Sequence, residues 1–309
     1  DGPGDTLSVW RSTVGSAVAP ALQRLGAAPA AFNVLLEGPV GADTTRVARS
    51  LHDAWERSFL RRGELVSLHP AAAPRELLAA QLFSPARGAL RRADGGTLLL
   101  DEVGDLPLEL QAHLLSVLDL DGARLRHVKL PGEEAARPVD VRLIAATRRD
   151  LGALARAGAF RRDLLDRLST HRITLPALAR SRHQIVIDYH HALETAARHY
   201  PVTSQGSPRF VLDSSARQRL QALAFAPSSP WRLNHQDVMQ SADRLCLRAW
   251  SARPPGPPPA VVKVTLDDVD AEAAELTARW AAATDEPPEV DPWADVARRV
   301  LPEIGRAHV

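Results

Sequence analysis

Residues 95–118 read GGTLLLDEVGDLPLELQAHLLSVL. A glycine pair opens a short apolar run from Thr97, with the length and composition of a buried strand. The run ends on Asp101 and Glu102, and beyond them PLELQAHLLSVLD (107–119) reads as a helix. An aspartate at the end of a strand can hold Mg²⁺, and a glutamate beside it can position or deprotonate a water. Taken alone the pair is a weak signal, because acidic residues often begin the loop after a buried strand.

Working outward, the same alternation repeats. AFNVLLE (31–37), ELVSLH (64–69) and VDVRLIAAT (139–147) read as strands, and TTRVARSLHDAWERSFL (44–60) and PRELLAAQLF (74–83) as helices. Continuous apolar strands alternating with helices predict a parallel sheet covered on both faces. GARLRHVKLPGEEAARPVD (122–140) has room for a small hairpin. From about 177 the strands are expected to stop. SRHQIVIDYHHALETAARHY (181–200), DSSARQRLQALAF (213–225) and NHQDVMQSADRLCLRAWS (234–251) read as helices. The predicted organisation is an N-terminal helix and linker (1–30, with apolar periodicity over Val14–Leu25), an α/β core (31–176) and a small helical domain (177–251). A proline-rich, extended linker (252–260) and C-terminal helices (261–309) follow. The last of these is a short helix over WADVARRVLPEIG (293–305), beyond a spacer TDEPPEVDP (284–292).

Composition narrows the function. With 309 residues, 45% of them hydrophobic, there is ample material for a buried core. A net charge of +1 gives no global field for nucleic acid or an anionic membrane. The single cysteine, Cys246, excludes a disulfide framework and a cysteine-rich zinc site. No apolar run is long enough to span a bilayer, no secretory signal is present, and a cytoplasmic location is expected. The chain starts with Asp1 and not Met, so it is expected to be part of something longer. Only Lys129 and Lys263 are lysines, so none lies before position 129.

That last point bears on LLEGPVGADTTRVARSL (35–51). An apolar run leads into Gly38-Pro39-Val40-Gly41 and then a helix, the layout of a phosphate-binding loop. Such a loop needs G-x-x-x-x-G-K-[ST], because its amides and lysine cradle the phosphates. Here the second glycine position is Asp43, the lysine position is Thr44, and Thr45 stands where the loop has Ser or Thr.

Taken together, GGTLLLDEVGDLPLELQAHLLSVL and its flanks closely resemble the AAA+ domain of bacterial enhancer-binding proteins, the activators of sigma-54 RNA polymerase. The strand ending in Asp101-Glu102 is then the Walker-B arrangement. VDVRLIAATRRDL (139–151) resembles the sensor-I strand, AGAFRRDLLDRL (157–168) the arginine-finger segment, and ITLPALARSRHQI (173–185) the entry to the helical lid. PWRLNHQDV (230–238) resembles a degraded sensor-II motif. The resemblance covers roughly 31–250. The lid and the tail VDPWADVARRVL (290–301) look most like the branch of RNA-repair operon regulators. The fold implied is an AAA+, P-loop NTPase-like α/β module: a three-layer αβα parallel sheet followed by a small helical lid domain.

By this resemblance Asp101 is the magnesium position and Glu102 the catalytic base. Gly38, Gly41, Asp43, Thr44 and Thr45 form the nucleotide loop, with Thr147 at the end of the sensor-I strand. Arg161 and Arg167 fall on the two arginines that reach a neighbouring subunit's γ-phosphate in a ring. The departures lie at the working positions. Gln236 stands for the sensor-II arginine, Arg148 for the sensor-I asparagine, and His69 for the asparagine that pairs with the catalytic glutamate. LFSPARGALRRADGG (82–96) runs through where family members carry the sigma-contacting GAFTGA loop.

Energetics say how much the loop has lost. A lysine–phosphate contact is worth about 1.5–3 kcal/mol. A carboxylate about 5 Å from a phosphate, at an effective dielectric of about 20, repels it by roughly 3 kcal/mol. Together with the lost glycine, about 4–6 kcal/mol is missing, or three to four orders of magnitude in affinity. Losing a donor that stabilises the transition state costs roughly a further 100–1000-fold in rate. Arg46 and Arg49, read as lying beyond the first helical turn, are not expected to replace the lysine. Asp43 or Thr44 also suits a helix N-cap, where a carboxylate meets the positive helix end.

The expectation is therefore a pseudo-ATPase: no bound cofactor, or ATP with Mg²⁺ if the site still works, and no enzymatic activity beyond ATP hydrolysis in that case. Partners are expected to be proteins or other domains of a longer chain, with homo- or hetero-oligomers possible; sigma-54, a membrane and, for this stretch of chain, DNA are not expected. Asp101, Glu102, Arg161 and Arg167 leave three readings open: salt bridges without chemistry, arginine fingers given to an active subunit, or a divergent ATPase acting on another target. His190, His191, Asp188 and His199 share one helix and read as a solvated face.

Overall fold

The computed structural model describes residues 33–59, 63–72, 74–118, 126–128, 134–180, 182–203, 206–226 and 228–282. The expected helices over Val14–Leu25 and 293–305, and the spacer between 284 and 292, lie outside them. The described chain forms two compact units. One runs to Asp188 and includes Leu233–Val238; the other comprises Tyr189–Arg232 and the chain from Met239 onward.

In the first unit, β1 (Asn33–Glu37), β2 (Leu65–Leu68), β3 (Thr97–Leu100), β6 (Arg142–Thr147) and β7 (His171–Thr174) form a 5-stranded sheet in the order β2-β3-β6-β1-β7. All neighbours are parallel. A parallel sheet needs helical crossovers, and these are α1 (Thr44–Phe59), α2 (Arg75–Phe83), the short α3 (Ala89–Arg92), α4 (Leu108–Leu118), α5 (Leu151–Arg156) and α6 (Arg162–Leu168). The antiparallel pair β4 (Arg126–Val128) and β5 (Arg137–Val139) is the hairpin foreseen in that stretch.

Side chains alternate between two cores, as the strand period of two requires. Val34, Leu36, Leu99, Ile144 and Ala146 pack with Val47, Ala48 and Leu51 of α1. Leu35, Leu98, Leu100, Leu143 and Ala145 face the opposite way, onto Leu78 and Leu82 of α2, Leu110 and Leu114 of α4 and Leu164 of α6. Each leucine buried this completely contributes about 1.5–3 kcal/mol. The doubly covered parallel sheet read from the sequence is thus observed. It has one strand more than foreseen, because His171–Thr174 is an edge strand with only Ile173 buried.

The second unit corrects the expectation that strands stop near 177. β8 (Arg209–Leu212) and β9 (Val261–Val264) form a parallel pair, Arg209 opposite Val261 and Leu212 opposite Val264. Around them lie the later part of α7 (Arg182–Ala197), α8 (Ser214–Phe225), most of α9 (His235–Ser251) and α10 (Leu266–Ala282). Asp213 caps α8 by accepting from Ala216 N–H at 2.7 Å. Thr265 heads α10, its N–H and hydroxyl both donating to Asp268. Among the described residues no helix is long and apolar enough to cross a membrane.

Candidate functional site

In the parallel sheet every strand ends on the same edge, so the residues that follow the strands converge there. Glu37 lies opposite Thr147 in register, and Gly38 N–H donates to the Thr147 carbonyl at 3.2 Å. Asp101 N–H donates to Leu68 O at 2.9 Å, which brings the end of β3 beside the His69 turn. Of three described non-glycine residues with positive φ, two belong here: Glu102 at 57° and Asn234 at 48°. Backbone held this way costs on the order of 1 kcal/mol and persists only where its surroundings fix it.

The loop after β1 is shaped by Leu233 and Asn234. Gly41 has φ +73°, and a Cβ on it would lie 1.9 Å from the Leu233 carbonyl oxygen. Both facts require glycine. Asn234, nearly buried, bridges the loop through its side chain. Its Nδ2 donates to Val40 O at 2.7 Å, and its Oδ1 accepts from Leu178 N–H at 2.6 Å. Asn234→Ala is expected to cost about 2 kcal/mol of stability, since it strands a buried N–H and a carbonyl together. Urea denaturation checks this; a loss below about 0.5 kcal/mol would show that the bridge contributes nothing.

Asp43 immediately precedes α1 and caps it. Its Oδ1 accepts from Arg46 N–H at 3.1 Å. The carboxylate also holds the Arg46 side chain, with Nε 3.1 Å from Oδ2. This corrects the reading of Arg46 as lying beyond the first turn: α1 begins at Thr44, so Arg46 lies within it. The Arg46 guanidinium also approaches Asp188 Oδ1 at 3.6 Å, and Asp188 Oδ2 lies 2.9 Å from His235 Nδ1. Asp188 is 4% exposed, so it does not belong to the solvated face read from the sequence, and His199 lies beyond the end of α7 and not on it. His190 belongs to that face, being exposed and near Glu194.

The acidic pair after β3 is likewise engaged. Thr44 Oγ1 donates to Asp101 Oδ1 at 3.5 Å, and His69 Nδ1 lies 3.7 Å from Asp101 Oδ2. Glu102 turns toward Arg148. Its Oε2 accepts the Arg148 N–H at 3.3 Å, and its Oε1 lies 3.4 Å from Arg148 Nε. Burial raises the Glu102 carboxyl above the ordinary glutamate range, against the pull of Arg148. Thr147 is buried, and its hydroxyl accepts from Arg149 N–H at 3.0 Å. Arg149 in turn holds Asp105 at 2.7 Å.

Glu37, 6% exposed at the end of β1, has Arg172 Nε 3.3 Å from its Oε2. Burial raises its carboxyl too, with Arg172 pulling the other way and Asp150 adding to the rise. A raised folded-state value means that this group's contribution is intact below about pH 4.5 and is lost as pH climbs through the folded value. Glu37→Gln is therefore expected to gain stability relative to the parent as pH rises above 4.5. Melting curves from pH 4 to 8 test this, and a gap that narrows with pH would contradict it.

Of the remaining positions, Arg161 and Arg167 lie at the two ends of α6. Arg161 stands just before α6 and its guanidinium is spent on Asp163, at 3.0 and 2.6 Å. Its backbone N–H donates to Gln111 Oε1 at 2.8 Å; Gln111 is fully buried and also donates to Leu106 O. Arg167 lies in the last turn of α6, its carbonyl accepting from the Asn33 side chain. Thr45 and Gln236 are exposed, and Gln236 N–H donates to Leu233 O.

Set against known proteins, this architecture has a clear kin. The family profile described as Sigma-54 interaction domain matches residues 15–174. The chain belongs to the sigma-54 interaction domain family. Among its relatives, the regulatory protein LuxO of Vibrio cholerae is 33% identical over 248 residues, 77% of this chain and 43% of LuxO. The DNA-binding transcriptional regulator NtrC of Azospirillum brasilense is 33% identical over 288 residues, 90% of this chain and 53% of NtrC. This sigma-54 interaction domain chain thus spans about half the length of the curated relatives it matches. Among solved structures, NtrX from Brucella abortus in complex with ADP superposes with a TM-score of 0.65 at 26% identity, over 85% of this chain and 54% of NtrX. The AAA+ fold expected from the motifs is the fold observed.

Sequence reasoning missed Asn234, Gln111 and the Glu102–Arg148 pair as organising elements. Asn234 had one available signal: asparagine tolerates positive φ better than most residues. Gln111 had none, because a glutamine on an amphipathic helix is ordinarily solvated.

Proposed function

We propose that this chain is a regulatory AAA+ module of the sigma-54 activator type whose phosphate loop is degraded, acting through protein contacts and not by turning over ATP. The observation that carries the reading is Asp43. Its carboxylate caps the first turn of α1 and pairs with Arg46, so the helix end that would meet a phosphate already meets an anion. Thr44 in the lysine position and exposed Gln236 in the sensor-II position supply no compensating cation. The segment 82–96 passes from α2 to α3 without the GAFTGA loop, so sigma-54 is not the partner proposed. Partners are other proteins or further domains, in homo- or hetero-oligomers.

Calorimetry with ATP and ADP in the presence of Mg²⁺, alongside sedimentation with and without nucleotide, tests this. No binding heat and an assembly state indifferent to nucleotide are expected. Micromolar binding with magnesium-dependent turnover would overturn the proposal.

A second reading, a divergent ATPase or a donor of Arg161 and Arg167 to an active subunit, draws on the contact of Thr44 with Asp101 and on the retained Glu102. Were nucleotide to bind, Asp101 would hold its Mg²⁺. If Glu102→Gln changes neither nucleotide occupancy nor assembly, that reading fails.

A further inference from the structure

On α1, away from the acidic edge of the sheet, His52, Asp53 and Glu56 offer one donor atom each, all within 4.8 Å of one another. Helical spacing explains the meeting. Glu56 is four residues from His52 and three from Asp53, so both pairs share one stretch of surface. The three differ in burial and in how they are held. His52 is only 6% exposed and is held by a 2.9 Å hydrogen bond between its Nδ1 and Thr97 Oγ1. Its other nitrogen, Nε2, is turned toward Glu56 Oε1 at 3.8 Å, longer than a hydrogen bond. Asp53 and Glu56 are half-buried and can close on an ion. Glu56 is itself anchored, because its Oε1 accepts from Gly63 N–H at 3.1 Å.

We infer that His52, Asp53 and Glu56 form a binding site for one divalent transition-metal ion, with zinc the best fit. An imidazole with two carboxylates is a nitrogen–oxygen donor set suited to zinc, and three protein ligands leave a fourth, open position. Their charges sum to −2 when His52 is neutral and balance the ion. Burial favours that neutral form by lowering the His52 value, and a metal ligand must be unprotonated. Arg142 and Arg49 are the cations acting on the ring from nearby, and they oppose binding. Arg142 is buried against the Trp55 ring, 4.7 Å from its centroid. With Nδ1 protonated, its N–H would donate to Thr97 Oγ1 and fix the ring through the nitrogen that does not bind the ion, the place that a carboxylate, a carbonyl or a water takes beside most metal-bound histidines. All three ligands lie on α1, so an ion here would brace the later turns of that helix.

The test is titration of the full chain, stripped with a chelator, with zinc chloride in a calorimeter, paired with the visible spectrum after cobalt substitution. One ion per chain and tetrahedral cobalt bands are expected. His52 is a core residue, so the diagnostic variant is Asp53→Asn with Glu56→Gln, which keeps an acceptor for Gly63. It should bind about 100-fold more weakly with an unchanged melting temperature in the absence of metal. Thr97→Val should weaken binding about 10–100-fold. No zinc binding, or a double variant that titrates like the parent, overturns the inference.

Discussion

Asp43→Gly combined with Thr44→Lys is expected to raise the affinity for Mg²⁺-ATP by three to four orders of magnitude, the reverse of the roughly 4–6 kcal/mol that the proposed function assigns to the native residues. The loop is otherwise in place. Gly41 keeps its positive φ beneath Leu233, and Asn234 holds Val40, so the backbone does not need to be rebuilt. Losing the cap is affordable, because glycine at an N-cap costs only a few tenths of a kcal/mol. The change also frees Arg46 from Asp43. Asp43→Asn separates the two contributions: it keeps a capping side chain and removes the charge, and should recover about two of those orders. Calorimetry on the parent and both variants reads the result. A double variant that binds no better than the parent would mean that the loss lies in the site as a whole.

Arg244→Ala is expected to destabilise the second unit by about 3–5 kcal/mol, since it leaves a buried charge unpaired. Glu272 on α10 is completely buried, and both its oxygens accept from Arg244 on α9: Nε lies at 3.1 and 3.0 Å, and a terminal nitrogen at 2.6 Å. Arg244 Nε also lies 3.2 Å from Glu275 Oε1, and Arg248 holds the other Glu275 oxygen at 2.6 Å. Arg244→Met with Glu272→Leu removes both charges and should recover most of the loss, because a buried ion pair is seldom better than well-packed apolar residues. Urea denaturation followed by tryptophan fluorescence suits this unit, where Trp231 and Trp280 meet edge to face with ring centroids 5.2 Å apart. A cost below about 1 kcal/mol for Arg244→Ala would show that water reaches Glu272.

The α/β core was legible in the sequence because its signals are local and redundant. Runs such as Thr97–Leu100 and Arg142–Thr147 are buried at every position, which only a doubly covered strand requires. Edge and isolated strands are not so marked. His171–Thr174 buries one residue in four, and Val261–Val264 alternates exposed and buried just after a proline-rich stretch, so both escaped notice. At the site, the residue types at Gly38, Asp101 and Glu102 could be read from the motif, and so could the substitutions at 43 and 44. Their partners could not. Arg148 meets Glu102 from 46 positions away, and Asn234 meets Val40 across 194. No local pattern encodes such pairings.

The parallel pairing of β8 with β9 bears on how the second unit comes into being. Parallel neighbours cannot be joined by a tight turn, so β8 has no partner until the chain has passed through α8, α9 and the proline-rich stretch. Contacts this distant along the chain form slowly. During synthesis the aromatic group of Tyr200, Phe210 and Trp250 therefore emerges before the strand that completes its sheet. Ending a recombinant chain at the prolines, as a linker would invite, discards β9 and the carboxylate that neutralises Arg244. A recombinant chain for this unit has to include α10, and a ribosome-stalled chain that stops short of Glu272 should remain protease-sensitive beyond Tyr189.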